Sequence, residues 1–285
     1  MGTAFSLDHV VVHVDDLDTG IADFTALGFT VIRGGEHPRM GTHNALITFA
    51  DGSYLELIAF KRRSGPPPVK MPKHVRAEEL KAEQASPAAR HMRAWETAGE
   101  GLVDFALVPE TIEDAMAAAR RRGLDLEGPL PGGRVRPDGR QVSWQLGIPD
   151  AFDLPFLCAD VTPRALRVPE GAAREHANGV TGIEGILILV TALAITVPRY
   201  RALLDIGPAP GSAFVWPDAR AADFPLGTTV ISVAEPITHS GPLWDHMNRS
   251  GEGPYALTLR TSDQTREGVL DLARTHGARI ALVFT

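Results

Sequence analysis

Between Gly34 and Leu57 the sequence GGEHPRMGTHNALITFADGSYLEL sets His37, His43 and Glu56 around two strand-like runs joined at Asp51-Gly52, and the upstream run LDHVVVHV adds His9. Neutral imidazole together with a carboxylate suits a divalent ion such as Zn, Fe, Mn, Ni or Co. Two or three protein ligands would leave open positions at which a substrate oxygen binds and is polarised. His9 and Glu56 are the candidate metal pair, with the third ligand left open. Glu56, His37 and His43 are the candidate catalytic groups: the carboxylate as a proton shuttle if loosely bound, the imidazoles because their intrinsic pKa lies near neutrality.

These side chains are useful only if strands bring them together. Asp-Gly suits a tight turn, so GTHNALITF and SYLELIAF form a hairpin. A two-residue turn sets Ala50 opposite Ser53 and Ile47 opposite Glu56. Alternation then places Tyr54, Glu56 and Ile58 on one face with His43, Ala45 and Ile47, and Asn44 on the other, where it can brace the loop containing His37. His43 is four residues from Ile47, roughly 13 Å along the strand, so lining a pocket suits it as well as ligation. His37 precedes Pro38 in a loop and is free to reach inward. Each residue also has a plainer reading. A strand histidine is often a hydrogen-bonded structural residue. Glu56, between Leu55 and Leu57, must find a partner or a wet pocket, because an unpaired buried carboxylate is costly. Asp15, Asp16 and Asp18 cap a helix, and Cys158 reads as a small core residue.

One plan recurs: strand, turn, amphipathic helix, glycine, strand. Its first copy runs LDHVVVHV, DDLDTGIADFTALG, FTVIR; its second runs LVDFALV, PETIEDAMAAARRRG. Leu17, Ile21, Phe24 and Leu27 recur at helical spacing in the first, and Ile112, Ala115, Met116 and Ala119 in the second. Thr111 and Asp114 form a shortened capping box, and Gly28 and Gly123 stop the helices. With the strands that follow, each unit is βαβββ and the fold class is α+β. A third copy begins GIEGILILVTALAITVPRYRALLDIG, with Pro198 in the first turn of its helix. A fourth, PYALTLRTSDQTREGVLDLARTHGARIALVF, is cut short to βαβ. The chain therefore divides into residues 1–160, a pair of modules, and 161–285, a second and more divergent pair. Lys61–Gly101, with GPPP and AEELKAEQ, reads as a linker with a helical excursion over the surface, and Gly207–Gly227 as a Pro/Gly-rich loop. Aligning the repeats puts Asp104 at the place of His9, as a pocket residue or further ligand, and Phe156 at the place of Glu56. Tyr54, Trp144 and Phe156 are candidate pocket walls.

Bulk properties narrow the field. The chain has 285 residues, 44% apolar and 22% charged, as in an ordinary globular protein. A net charge of −7 argues against a grip on nucleic acid or anionic lipid. A single cysteine and no leader-like start point to the cytoplasm, and the longest apolar run, 185–197, is too short to span a bilayer. Motifs for serine hydrolases, zinc proteases, dithiol redox proteins and phosphate-binding loops are absent.

The stretch LDHVVVHVDDLDTGIADFTALGFTVIRGGEHPRMGTHNALITFADGSYLELIAF resembles the glyoxalase-like branch of the vicinal oxygen chelate superfamily (glyoxalase, bleomycin resistance, dioxygenase). Asp8-His9, GF after the helix, GG-x-HP, GTHN and YLEL carry the likeness, which is strong over 5–60, continues through DLPFL (153–157) and thins over 176–285. The resemblance implies repeated βαβββ modules curling into cupped, half-barrel mixed sheets, with helices outside and a divalent metal inside. His9 matches the family's first-strand ligand and Glu56 its fourth-strand ligand. The second module departs from the pattern, with Asp104 and Phe156 where ligands are usual, which argues against a glutathione-dependent glyoxalase.

Two functions follow. The leading one is a metal-dependent enzyme acting on a small oxygenated molecule by lyase, isomerase or hydrolase chemistry through a metal-bound oxyanion. The alternative is a metal-free binding or antibiotic-sequestering protein, whose cup holds a ligand against Tyr54, Trp144 and Phe156 with Glu56 bonding an amine. The expected partner is a small-molecule substrate, with neither nucleic acid nor membrane, and a homodimer is an option because the shortened fourth unit leaves a sheet edge.

Overall fold

The computed structural model describes residues 5–61, 79, 84–209 and 218–285. The first module is β1 (Phe5–His13), α1 (Leu17–Ala26), β2 (Ile32–His37), β3 (Thr42–Thr48) and β4 (Tyr54–Phe60). The helix α2 (Pro87–Ala98) leads into the second module: β5 (Gly101–Pro109), α3 (Ile112–Arg121), β6 (Leu126–Val135), β7 (Gln141–Pro149) and β8 (Phe156–Asp160). In these two modules the helices start and stop where the sequence places them, although the Thr111 hydroxyl donates to Asp114 and does not accept from an α3 amide. Asp16 caps α1 by accepting from the Thr19 amide, and Gly28 (φ +91°) ends it.

The fold is α+β, as the repeats implied, with two curved mixed sheets and helices outside, as the family resemblance implied. The first sheet goes beyond a half-barrel and closes, in the order β1-β4-β3-β2-β6-β7-β8-β5. Closure comes through one pair of the β2–β6 edges, Glu36 with Val135, and through the antiparallel β1–β5 seam. Within each module the first strand runs parallel to the fourth, β1 with β4 and β5 with β8.

The second sheet is open, in the order β10-β11-β9-β12-β14-β13. Its first half is β9 (Val180–Leu189), α5 (Leu193–Leu204), β10 (Ala219–Leu226) and β11 (Thr229–Pro236), followed by α6 (Pro242–Ser250). Thus the latter part of Gly207–Gly227, expected as loop, is strand, and Pro198 sits inside α5 because the helix begins a turn earlier than expected. The second half is β12 (Gly253–Thr261), β13 (Gly268–Val269) and β14 (Arg279–Phe284). The helix expected after β12 does not form. Asp263 caps a single 3-10 turn, and Gly268 (φ +143°) extends the chain so that β13 pairs with β14. One apolar cluster runs from the outer barrel face (Val10, Ile47, Leu55, Leu57) through α3 to the inner face of the second sheet (Ile186, Leu257, Leu259). Among the described residues no helix is long and apolar enough to cross a membrane.

The β3–β4 hairpin differs from expectation by one residue. The Phe49 amide donates to the Ser53 carbonyl and Gly52 is left-handed (φ +85°), so the loop has three residues, not two. Glu56 therefore faces Leu46 and shares its side with Asn44, while His43 pairs with Ala59 on the opposite side. A one-residue change reverses every side chain of a strand. Of the expected linker, residues 62–78 and 80–83, which include GPPP, lie outside those described. The part that follows is α2, capped by Ser86 and buried along Arg90, His91, Ala94 and Trp95.

Candidate active site

The barrel encloses a cavity of about 210 Å³. The first module contributes His9, His37, Tyr54 and Glu56 to its wall, the second Trp144 and Phe156, and α2 adds His91 and Trp95. Apolar side chains from β1, β4, β7, β8 and α2 pack around it, including Val11, Ile58, Val142, Ile148 and Cys158. Burial pushes the Cys158 thiol up, which fits a small core residue and not a nucleophile.

His9 and Glu56 meet because Val11 is the parallel partner of Glu56, and His9 points to the same side two residues earlier. His9 Nε2 lies 3.4 Å from Glu56 Oε2. The other ring nitrogen is fixed: Nδ1 donates to Asp8 Oδ2 at 2.8 Å. Neighbouring strand residues normally point to opposite faces, but the β1–β5 register skips Asp8, and this bulge turns both side chains inward. Asp8 is fully buried. Burial pushes its carboxyl up, yet the Arg167 guanidinium and the His9 hydrogen bond outweigh that and hold it well below the usual carboxylate range. Arg167, from the short helix α4 (Arg164–Arg167), also reaches Asp160 and the Tyr54 hydroxyl. The Tyr54 ring in turn stacks on His9 at 4.6 Å.

His37 ends β2 and is buried. Its Nδ1 is 2.9 Å from Thr42 Oγ1, and its Nε2 is 3.9 Å from Glu56 Oε1. Burial lowers its pKa to about 4, against the pull of Glu56, so the ring is neutral at physiological pH. Asn44 donates to Glu56 Oε1 at 2.6 Å and fixes the carboxylate from behind.

This donor chemistry suits a divalent metal. With Nδ1 of His9 committed as donor to Asp8, a neutral ring turns the Nε2 lone pair toward a carboxylate. Two acceptors facing each other at 3.4 Å call for a cation between them, either a proton or a metal ion. Bonds of about 2.0–2.2 Å to a tetrahedral ion separate neighbouring donors by roughly 3.4 Å. The outer shell, with Asp8 behind His9, Thr42 behind His37 and Asn44 behind Glu56, is of the kind that orients metal ligands. Among the described residues no three His, Cys, Asp or Glu side chains are already drawn together as a complete metal centre. His9 and Glu56 are the close pair, and His37 is the third donor within reach.

The other expected site residues divide. Tyr54, Trp144 and Phe156 line the cavity, and Asn44 stands one layer back. His43 does not belong to it. The one-residue change in the hairpin puts it on the outer surface, in a shallow recess with Leu17, Glu36 and Val135. Asp104 occupies the place of His9 in the second module, two residues before Ala106, which pairs with Phe156. Its Oδ2 accepts from His91 Nδ1 at 2.8 Å and Trp95 Nε1 at 3.1 Å, and its Oδ1 accepts from the Phe105 amide. Sequence reasoning missed His91, Trp95, Arg134 and Arg167. A weak signal existed for α2, since His91 and Trp95 are four apart, one turn of a helix. His91 matters because its Nε2 is buried without a hydrogen-bond partner, while Asp104 fixes the ring from behind.

A family model described as a glyoxalase-like domain matches residues 7–204. A search of curated protein sequences found no significant match. Among solved structures, a hypothetical protein from Staphylococcus aureus superposes with a TM-score of 0.71 at 16% identity, covering 99% of this chain and 100% of its own. A mutant of 4-hydroxymandelate synthase from Streptomyces coelicolor gives 0.57 at 13% identity, over 96% of this chain and 78% of its own. A methylmalonyl-CoA epimerase from Mycobacterium tuberculosis aligns with 37% of this chain and 89% of its own at 18% identity and a TM-score of 0.33, a partial overlap only. At these identities the first two neighbours speak to fold alone. The match over residues 7–204, on a barrel of paired βαβββ modules, establishes that the chain belongs to the glyoxalase-like domain family.

Proposed function

We propose that this protein is a divalent-metal-dependent enzyme acting on a small oxygenated molecule by lyase, isomerase or hydrolase chemistry. The observation that carries the reading is the approach of the Nε2 atoms of His9 and His37 to the two oxygens of one partly buried carboxylate, Glu56, in the wall of the barrel cavity. A divalent ion held there would supply Lewis-acid polarisation of a substrate oxygen. The chain's own groups do the rest. Asp8, Thr42 and Asn44 hold the three donors in orientation. Trp95, Trp144 and Phe156 keep bulk water from the reacting atoms. His91, with Nδ1–H committed to Asp104, presents a free Nε2 and would take or return a proton, the role that the sequence reading gives to His37 or His43.

The test is elemental analysis of protein purified without chelators or a polyhistidine tag, alongside His9→Ala and Glu56→Gln. Wild-type protein should carry near-stoichiometric divalent metal, and both variants should lose it together with turnover. Full occupancy in both variants would end the assignment. A metal-free wild type that still binds small ligands would favour the alternative, a binding or sequestering protein.

A further inference from the structure

Arg134 is the one cavity-wall cation whose burial nothing yet described accounts for. It lies on β6 opposite Val142, points into the barrel and is 4% exposed. Its Nη2 donates to the Arg167 carbonyl at 2.5 Å, while its Nε is buried with no partner. Among the described residues no carboxylate comes within ion-pair distance of it. Arg167 shows how this fold treats a buried guanidinium that only braces structure: it receives two carboxylates, Asp8 and Asp160. Leaving a buried charge unpaired is costly, so a counter-charge for Arg134 is expected from outside the chain. Glu56 attracts it, but that carboxylate is already engaged by Asn44, His9 and His37.

Its position is also specific. A Cβ on Gly34 would stand 2.1 Å from Asn44 Oδ1 and 3.2 Å from Arg134 Nη1, so the bare glycine lets the guanidinium pack beside the residue that holds Glu56. The cavity lining also includes apolar and aromatic side chains, Met92, Trp95, Ile148 and Phe156 among them. An exposed Arg39 stands at the rim. At about 210 Å³ the cavity is smaller than the roughly 300–1,000 Å³ of sites for drug-sized ligands.

From this geometry we infer that the cavity takes a small organic acid: its carboxylate is held by Arg134, its apolar body lies against Trp95 and Phe156, and a further oxygen is directed at Glu56 and His9. A planar guanidinium pairs naturally with a carboxylate, and one arginine balances one negative charge. The inference deepens the proposed function by naming its substrate class, yet the anchor itself does not depend on a metal.

Calorimetric titration of the protein, both as purified and after chelator treatment, with benzoate, benzamide and phenyl phosphate provides the test. Benzoate should bind at least about ten-fold more tightly than its neutral isostere in both preparations. Arg134→Gln should reduce that advantage to about two-fold or less while leaving metal content unchanged. The wild-type comparison stands even if the variant fails to fold, and Arg134→Lys, which keeps the charge and loses the fork, should give an intermediate preference. Equal binding of benzoate and benzamide, no benzoate binding at millimolar concentration, or unchanged selectivity in Arg134→Gln would overturn the inference. Tighter binding of phenyl phosphate would overturn the carboxylate class. Selectivity for benzoate in a protein that carries no metal would separate this result from failure of the metal reading.

Discussion

Replacing Arg167 with methionine should destabilise the protein far more than the loss of an ordinary ion pair. Arg167 is 1% exposed and heads the fully buried side chains by volume. Its guanidinium donates to Asp160 at 2.5 and 2.9 Å, to Asp8 at 2.8 and 3.1 Å, and to the Tyr54 hydroxyl at 2.6 Å. Methionine fills the space but leaves Asp8, fully buried, with only Arg164 and His9. Breaking a buried pair by removing one partner costs about 3–5 kcal/mol. Arg164 still reaches Asp8 at 2.5 Å, so a value near 3 kcal/mol is expected. At about 2–4 °C per kcal/mol, this lowers the midpoint of thermal unfolding by roughly 6–12 °C. Urea unfolding of the wild type, Arg167→Met, Asp8→Asn and the double variant would measure it. The double variant should lose less than the sum of the singles, because neutralising Asp8 removes the orphaned charge. A loss below about 1 kcal/mol, typical of exposed pairs, would refute the reasoning.

Thr42→Val keeps the shape of the β3 side chain and removes the hydroxyl 2.9 Å from His37 Nδ1; metal affinity measured by competition with a chelator should fall about ten-fold, while His43→Ala should leave it unchanged. His176 accepts from the Thr30 amide at Nδ1, donates from Nε2 to the Thr48 carbonyl, and is held by burial below its ordinary pKa. The unfolded chain therefore takes up this proton first: the contribution to stability is full above about pH 6.5 and declines as pH falls toward the folded value. His176→Gln should flatten urea stability against pH below about 6.5, and identical slopes in the two proteins would count against it.

What sequence made legible follows from which interactions are local. The adjacency of β1 and β4 is a property of the βαβββ unit, so His9 could be matched with Glu56 from the repeat alone, and the register bears this out at 3.4 Å. The side of the barrel on which His43 falls depends on the loop at Ala50–Gly52. There a left-handed glycine adds one residue that the Asp-Gly signal does not reveal, and the parity reverses. Asp104 was placed correctly against His9, but its partners come from α2, in a stretch whose composition reads as a linker. Arg134 and Arg167 carry no local pattern. Their meaning rests on contacts across some 30 to 160 residues, and only the closed barrel brings them to the cavity. The same holds for the fourth unit, where helical spacing over 264–276 lost to strand pairing with β14.

The most direct measurement is anomalous diffraction from crystals of the metal-loaded protein, recorded at the absorption edge of the ion that elemental analysis identifies. The account predicts one strong peak in the cavity, within about 2.0–2.2 Å of Nε2 of His9, Nε2 of His37 and an oxygen of Glu56. A peak elsewhere with these three side chains unligated, or no peak from fully loaded protein, would contradict it.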